Sequence, residues 1–363
     1  MILWFFLNQI DYSDFFKIAF LPFHPCPMAS FTTPSPSPLT VPTVCPGHSR
    51  PVVGLHYVHA DNQTFLISAS LDRAPMLRSG TTGDWIGTFA GHKGAVWSAK
   101  LNATATKAAT GSGDFTAKIW DAVDGTELQS FKHKHIVKCV EFAKNGSKLL
   151  TGARDKQLRV FDLEAAAGEA ASAPTCCMTH PDSVTRGIWT SDEHLVVSGG
   201  EDGVLRTWDL RSSSVVQEHT FGPGSPVTDM EMTSDGEMLA VAAGNVIFFN
   251  VTNPKNVEII KKHVCKLAVE SVSIHPDKKT FLTAGTDLWV YEHDFATLAE
   301  VDCKKGHHGP VHVVKYATDG KSYASGADDA TLRLWTKKEE DESGGSGSGS
   351  GSGGSGNVKK TSS

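Results

Sequence analysis

Residues 91–121 read GHKGAVWSAKLNATATKAATGSGDFTAKIWD, and the architecture of the chain follows from this stretch. Gly91-His92 opens it, and Val96 starts a short segment whose apolar residues Ala99 and Leu101 fall on one side. Asp114 lies 22 residues after His92, and Trp120-Asp121 closes the unit. Alternation over five or six residues is a strand signal. The same unit recurs on both sides. Seven valines, Val52, Val96, Val137, Val184, Val227, Val269 and Val311, each open a similar segment, at spacings of 44, 41, 47, 43, 42 and 42. Turn pairs such as Asn145-Gly146, Asp235-Gly236 and Asp319-Gly320 follow several of them. A period of 40–45 residues built from short strands predicts propeller blades, and seven repeats predict seven blades.

A polar set travels with the repeat. Histidine stands four residues before the valine at His48, His92, His133, His180 and His307. A hydroxyl stands four residues before each aspartate, as Ser68/Asp72, Thr110/Asp114, Thr151/Asp155, Ser198/Asp202, Thr283/Asp287 and Ser325/Asp329. An aromatic follows the aspartate by six at Trp120, Phe161, Trp208 and Trp335. His, Asp and a hydroxyl invite a catalytic-triad reading. An enzyme needs one such site, however, and here the set occurs five times in equivalent places. A buried network that ties the strands of each blade together explains the repetition. The expected complete sets are His92-Thr110-Asp114-Trp120, His180-Ser198-Asp202-Trp208 and His307-Ser325-Asp329-Trp335. Blade one carries Arg78 at the aromatic position, blade three Phe161, and blade six Cys265 for the histidine and His293 for the aromatic. Blade five retains none of the set, and its assignment rests on Val227 and the segment Asn245–Asn250.

The GH…D…WD pattern, over Cys45 to about Trp335, resembles the WD40 family. That resemblance implies an all-β propeller of four-stranded blades around a channel. It also implies that residues 39–46 supply the closing outer strand of the last blade, which removes an exposed sheet edge. The propeller is expected over 39–337.

The chain has 363 residues, 34 Lys+Arg against 40 Asp+Glu, a net charge of −6 and seven scattered cysteines with no CxxC pair. This balance argues against a broad phosphate-binding surface and against a disulfide framework or zinc site. The 16 histidines show no HExxH spacing, there is no phosphate-binding loop, and no apolar run reaches the roughly 18 residues that a membrane span needs. No metal, cofactor or membrane contact is expected. Residues 1–38 read as a non-globular extension, with 1–27 upstream of an ordinary start at Met28. Residues 338–363 read as a charged then Gly/Ser-rich tail.

Several strings narrow the resemblance. They are Thr82–Phe89 (TGDWIGTF), Gly91–Trp97 (GHKGAVW), Asp114–Lys118 (DFTAK) and His133–Lys138 (HKHIVK), supported by Arg50-Pro51-Val52-Val53. They are similar to the serine-threonine kinase receptor-associated subfamily of WD40 proteins. The resemblance implies a non-catalytic adaptor, monomeric within a larger complex of cytoplasm and nucleus. Its implied partners are components of the survival-of-motor-neuron complex, which loads Sm proteins onto small nuclear RNAs, and a cold-shock-domain RNA-binding protein. RNA would be contacted only indirectly, and in animals a role in transforming-growth-factor-β receptor signalling is implied. The alternative resemblance is to propeller subunit i of the third eukaryotic initiation factor, suggested by Gly306–Val311 (GHHGPV) and Asp319–Tyr323 (DGKSY). An enzyme using the channel has no motif behind it. Propellers bind through channel rims, so Trp97, Lys138, Arg154, Glu201, His312 and Asp328 are the candidate partner-binding residues, against the plainer reading of solvated loop positions or, for Trp97, core.

Overall fold

The structure, a computed structural model, describes residues 41–164, 173–222 and 224–337. The expectations for 1–40 and 338–363, the Met28 start and the tail among them, lie outside the described residues. Within those described, 28 strands form seven four-stranded antiparallel sheets. The chain is an all-β seven-bladed propeller, as the period predicts.

Blade two shows the pattern: Val96–Leu101, Lys107–Ser112, Thr116–Asp121 and Glu127–Lys132 run from the axis outward. The second strand is buried on both faces (Ala108, Ala109, Thr110, Gly111, Ser112), because a blade packs against a neighbour on each side. The outer strand is instead mostly exposed, and Phe131 is its one buried residue. Blade five is a regular blade despite lacking the polar set. Its strands Asp229–Met232, Met238–Ala243, Asn245–Asn250 and Glu258–His263 enclose Leu239, Val241, Ile247 and Phe249. Apolar volume holds it where the other blades also use hydrogen bonds.

The cores lie between blades. One cluster joins Ile67, Ala69 and Leu77 of blade one to Val96, Ala99 and Trp120 of blade two. Another closes the ring, joining Cys45, Leu332 and Leu334 to Val52, Leu55 and Leu66. Closure uses the strand Thr43–Cys45, which pairs with Leu332–Thr336 as the outermost strand of blade seven. Gly83, at φ 81, lies so close to Cys45 and Leu334 that no side chain fits there. A chain shortened to begin at Gly47 is expected to lose about 2 kcal/mol, from the burial of Cys45 and the lost ladder bonds. In a thermal scan this is a fall of about 5 °C. An unchanged melting temperature would show that this strand does not close the ring.

Candidate partner-binding site at the channel mouth

Six of the seven inner strands begin with a defect. In six blades the register slips beside the opening valine, between Val52 and Gly54, Val96 and Ser98, Val137 and Cys139, Val184 and Arg186, Val269 and Ser271, and Val311 and Val313. A bulge of this kind leaves one residue unpaired and re-aims its side chain. The residues so released are Val53, Trp97, Lys138, Thr185, Glu270 and His312, joined by Thr228 of blade five. All seven line one cavity of about 460 Å3, together with Arg186, Glu201, Pro226 and Val227. One residue per blade encircling a single cavity places it at a mouth of the central channel.

The mouth is electrically divided. On one side the Lys138 ammonium sits 3.2 Å from the centre of the Trp97 ring, a cation–π contact. Arg154 reaches Glu201 at 3.3 Å, and Arg186 reaches Asp229 at 3.4 Å. Burial, with the nearby charges of Arg186 and Arg154, pushes Lys138 down to about 8. On the other side His312 bridges Glu270 (2.6 Å) and Asp328 (3.3 Å), and its bond to Glu270 raises its pKa. All six rim candidates therefore gather here: Trp97, Lys138, Glu201 and His312 line the cavity, and Arg154 and Asp328 pair with its walls. The sequence reading passed over Val53, Thr185, Arg186, Thr228 and Glu270. All seven ring positions could have been found as the residue after each recurring valine, but which way they point is decided by the fold.

Deeper in the channel, charges stitch blades four to seven together. Lys315 donates to Asp229 (3.0 Å), Glu231 (2.7 Å) and the Val272 carbonyl (2.9 Å), and the Ser271 hydroxyl donates to Asp229 at 2.6 Å. Burial alone would raise Asp229; the cations Lys315 and Arg186 outweigh it and hold the carboxyl below its ordinary range.

The repeated polar sets lie between strands, away from this mouth. In blade two the Trp120 indole donates to Thr110 Oγ1 at 2.8 Å, Thr110 Oγ1 lies 2.6 Å from His92 Nε2, and His92 Nδ1 lies 2.8 Å from Asp114. One proton order satisfies every link: indole to hydroxyl, hydroxyl to Nε2, Nδ1–H to carboxylate. Blade seven repeats it with Trp335, Ser325, His307 and Asp329 at 2.9, 2.7 and 3.1 Å. Blade one keeps His48–Asp72 and His48–Ser68, each 2.8 Å, while Arg78 turns to the Gly83 carbonyl at 3.1 Å. The hydroxyls Ser68, Thr110, Ser198 and Ser325 are fully buried, so no substrate reaches them.

Blade four departs from the expected complete set. Ser198 bonds His180 (3.0 Å) and Trp208 (2.8 Å), but Asp202 pairs with Arg206 at 2.7 Å, and His180 Nδ1 has no partner. Blade three shows the same diversion. His133 meets Thr151 at 2.9 Å and stacks edge-on with Phe161, while Asp155 takes both nitrogens of Arg159. In both, the arginine four residues after the aspartate takes it, Arg159 through two nitrogens and Arg206 through one, whereas in blade seven Arg333 stays 3.9 Å from Asp329 and the histidine keeps it. In blade six Thr283 bonds His293 Nε2 at 2.9 Å, and Asp287 bonds Tyr291 instead.

Comparison with known proteins agrees with this geometry. The WD domain, G-beta repeat model matches residues 83–121, 125–162, 174–209 and 300–336. The serine-threonine kinase receptor-associated protein of Homo sapiens is 43% identical over 295 residues, 81% of this chain and 82% of that protein. The chain belongs to the serine-threonine kinase receptor-associated family of WD40 proteins. Its family member from Dictyostelium discoideum is 41% identical, over 81% of this chain and 98% of that protein. Subunit I of eukaryotic translation initiation factor 3 from Drosophila sechellia is more distant, at 26% over 81% and 96%. The four matched repeats end in blades two, three, four and seven, the blades whose aromatic position holds Trp or Phe. This family member is thus a WD40 scaffold, and its other three blades are recognised by their strands.

Proposed function

We propose that this chain is a non-catalytic, monomeric protein scaffold of the survival-of-motor-neuron complex, acting in cytoplasm and nucleus during spliceosomal ribonucleoprotein assembly. The observation that carries the scaffold reading is the seven-residue ring at the channel mouth, which presents an aromatic, cations and carboxylates on rigid strands. The family relationship supports the assembly role. The relatives' name speaks of a receptor kinase; in an animal that adaptor role in transforming-growth-factor-β signalling would accompany assembly. Splicing is general among eukaryotes, so the assembly role carries over to any host. A cold-shock-domain RNA-binding protein is the second expected partner, with RNA held through it.

Affinity purification from the native cells tests this. Sm-assembly components in the eluate are the expected result, and initiation-factor subunits in their place would overturn it. Trp97→Ala and Lys138→Glu should each remove partners at least severalfold while the melting temperature stays put. Partner loss together with unfolding would return Trp97 to a packing role.

A further inference from the structure

The cations of the mouth are unevenly satisfied. Arg154 has Glu201 and Arg186 has Asp229, whereas Lys138 has no carboxylate within ion-pair distance among the described residues. Its ammonium rests only on the Trp97 ring, in a cavity half walled by apolar Val53, Pro226 and Val227. The sector formed by blades two to four therefore carries one uncompensated positive charge beside an aromatic plate. Across the cavity, Glu270 and Asp328 hold His312 between them. An incoming chain thus meets a cationic wall on one side and an acidic wall on the other.

We infer that this sector is a receptor for a single carboxylate side chain, an Asp or Glu on a partner segment inserted into the channel mouth. The inference rests on the mouth being the partner-binding face. A carboxylate arriving at Lys138 completes a charge-assisted hydrogen bond to an ammonium that lacks one. Trp97 stacks on the residue that carries it. The charge count selects the class of ligand. A monoanion neutralises the surplus, whereas a phosphate dianion overfills it and faces Glu201 and Asp229. A nucleic acid meets Glu201, Glu270 and Asp328 with a chain of phosphates.

The test uses rhodamine-labelled, capped octapeptides (Glu-Gly)4, (Gln-Gly)4 and (phosphoserine-Gly)4 against the full chain, read by fluorescence anisotropy. The Glu peptide is expected to bind at least tenfold tighter than the Gln peptide, and Lys138→Gln to abolish the preference with an unchanged melting temperature. Lys138 loses its proton near pH 8, so the preference should fall at least fivefold between pH 7 and 9.5. The other charged or titratable side chains lining or bordering the mouth are Arg154, Arg186, Glu201, Glu270, Asp328 and His312. His312 is retained in Lys138→Gln, and this variant should show no such fall. Equal binding of Glu and Gln peptides, an unaltered preference in Lys138→Gln, or phosphoserine binding tenfold tighter than Glu would each overturn the inference. The partner reading fails separately. If Lys138→Gln loses the peptide preference yet Trp97→Ala and Lys138→Glu still purify every cellular partner, the carboxylate site stands and the mouth is not the assembly face.

Discussion

Replacing Asp114 with alanine is expected to lower the unfolding free energy by about 2–4 kcal/mol. The carboxylate accepts from His92 Nδ1, from the Lys93 amide at 2.9 Å, and from the amide and hydroxyl of Thr116 at 3.1 and 2.6 Å. It therefore pins the loop entering blade two to the turn between that blade's second and third strands. Burial opposes the ionised form, but these bonds outweigh it and hold the carboxyl well below its ordinary range. Without Asp114, the buried Nδ1–H of His92 has no acceptor, and the relay through Thr110 to Trp120 loses its anchor. Asp202→Ala should cost less, about 1 kcal/mol, because His180 makes no bond to Asp202 and Arg206 keeps Glu218 at 2.8 Å. Urea melts of the two variants decide the matter. Equal losses would show that the aspartate–histidine link carries no stability of its own.

Acid should unfold the propeller through its buried and partly buried histidines, among them His133, which burial pushes down to about 4, and His56, which burial pushes well below its ordinary value. His180 and His293 are buried, and each has an Nδ1 without a hydrogen-bond partner. Burial pushes both down to about 4, helped by the cationic neighbour Arg206 for His180 and by His263 for His293. In the unfolded chain each takes a proton near 6.5. Between those values the unfolded state binds more protons, so stability is full above pH 6.5 and falls as pH drops to about 4. A fall from 6.5 to about 4 is worth roughly 3 kcal/mol for each ring. Depressed carboxylates such as Asp329, at about 2, act in a lower window, below their unfolded value near 3.8. Urea melts at pH 7, 5.5 and 4.2 should show the decline, and His180→Gln should make its slope shallower. A flat profile, or the same slope in His180→Gln, would contradict the neutral buried pair.

Blade number and family were legible in the residues because each rests on local pattern repeated seven times, and four strands per blade followed from the family resemblance. Alternation, turn pairs and the spacing of Val52 through Val311 do not depend on distant contacts. Blade five was legible from that spacing and from the segment Asn245–Asn250, and its packed apolar interior around Phe249 shows why these were enough. The polar sets were legible as residue types but not as bonds. Asp114 and Asp202 occupy equivalent places, yet one serves a histidine and the other an arginine. The competitor, Arg206, is visible in the sequence four positions on; which partner wins depends on a side-chain geometry that the sequence alone does not contain.

The sequence by itself thus determined a seven-bladed all-β propeller of the WD40 kind, with its histidine–hydroxyl–aspartate sets, since local periodicity dictates strands and repetition dictates closure. Only the tertiary structure decided what those blades present. Val53, Trp97, Lys138, Thr185, Thr228, Glu270 and His312 lie 41 to 47 residues apart along the chain, and ring closure brings them around one cavity. A bulge beside the opening valine turns six of them toward the axis, and Thr228 of blade five joins them without one. Lys138 is left without a carboxylate because its neighbours' acids are taken by Arg154 and Arg186, an outcome of distances between blades that no spacing along the chain encodes.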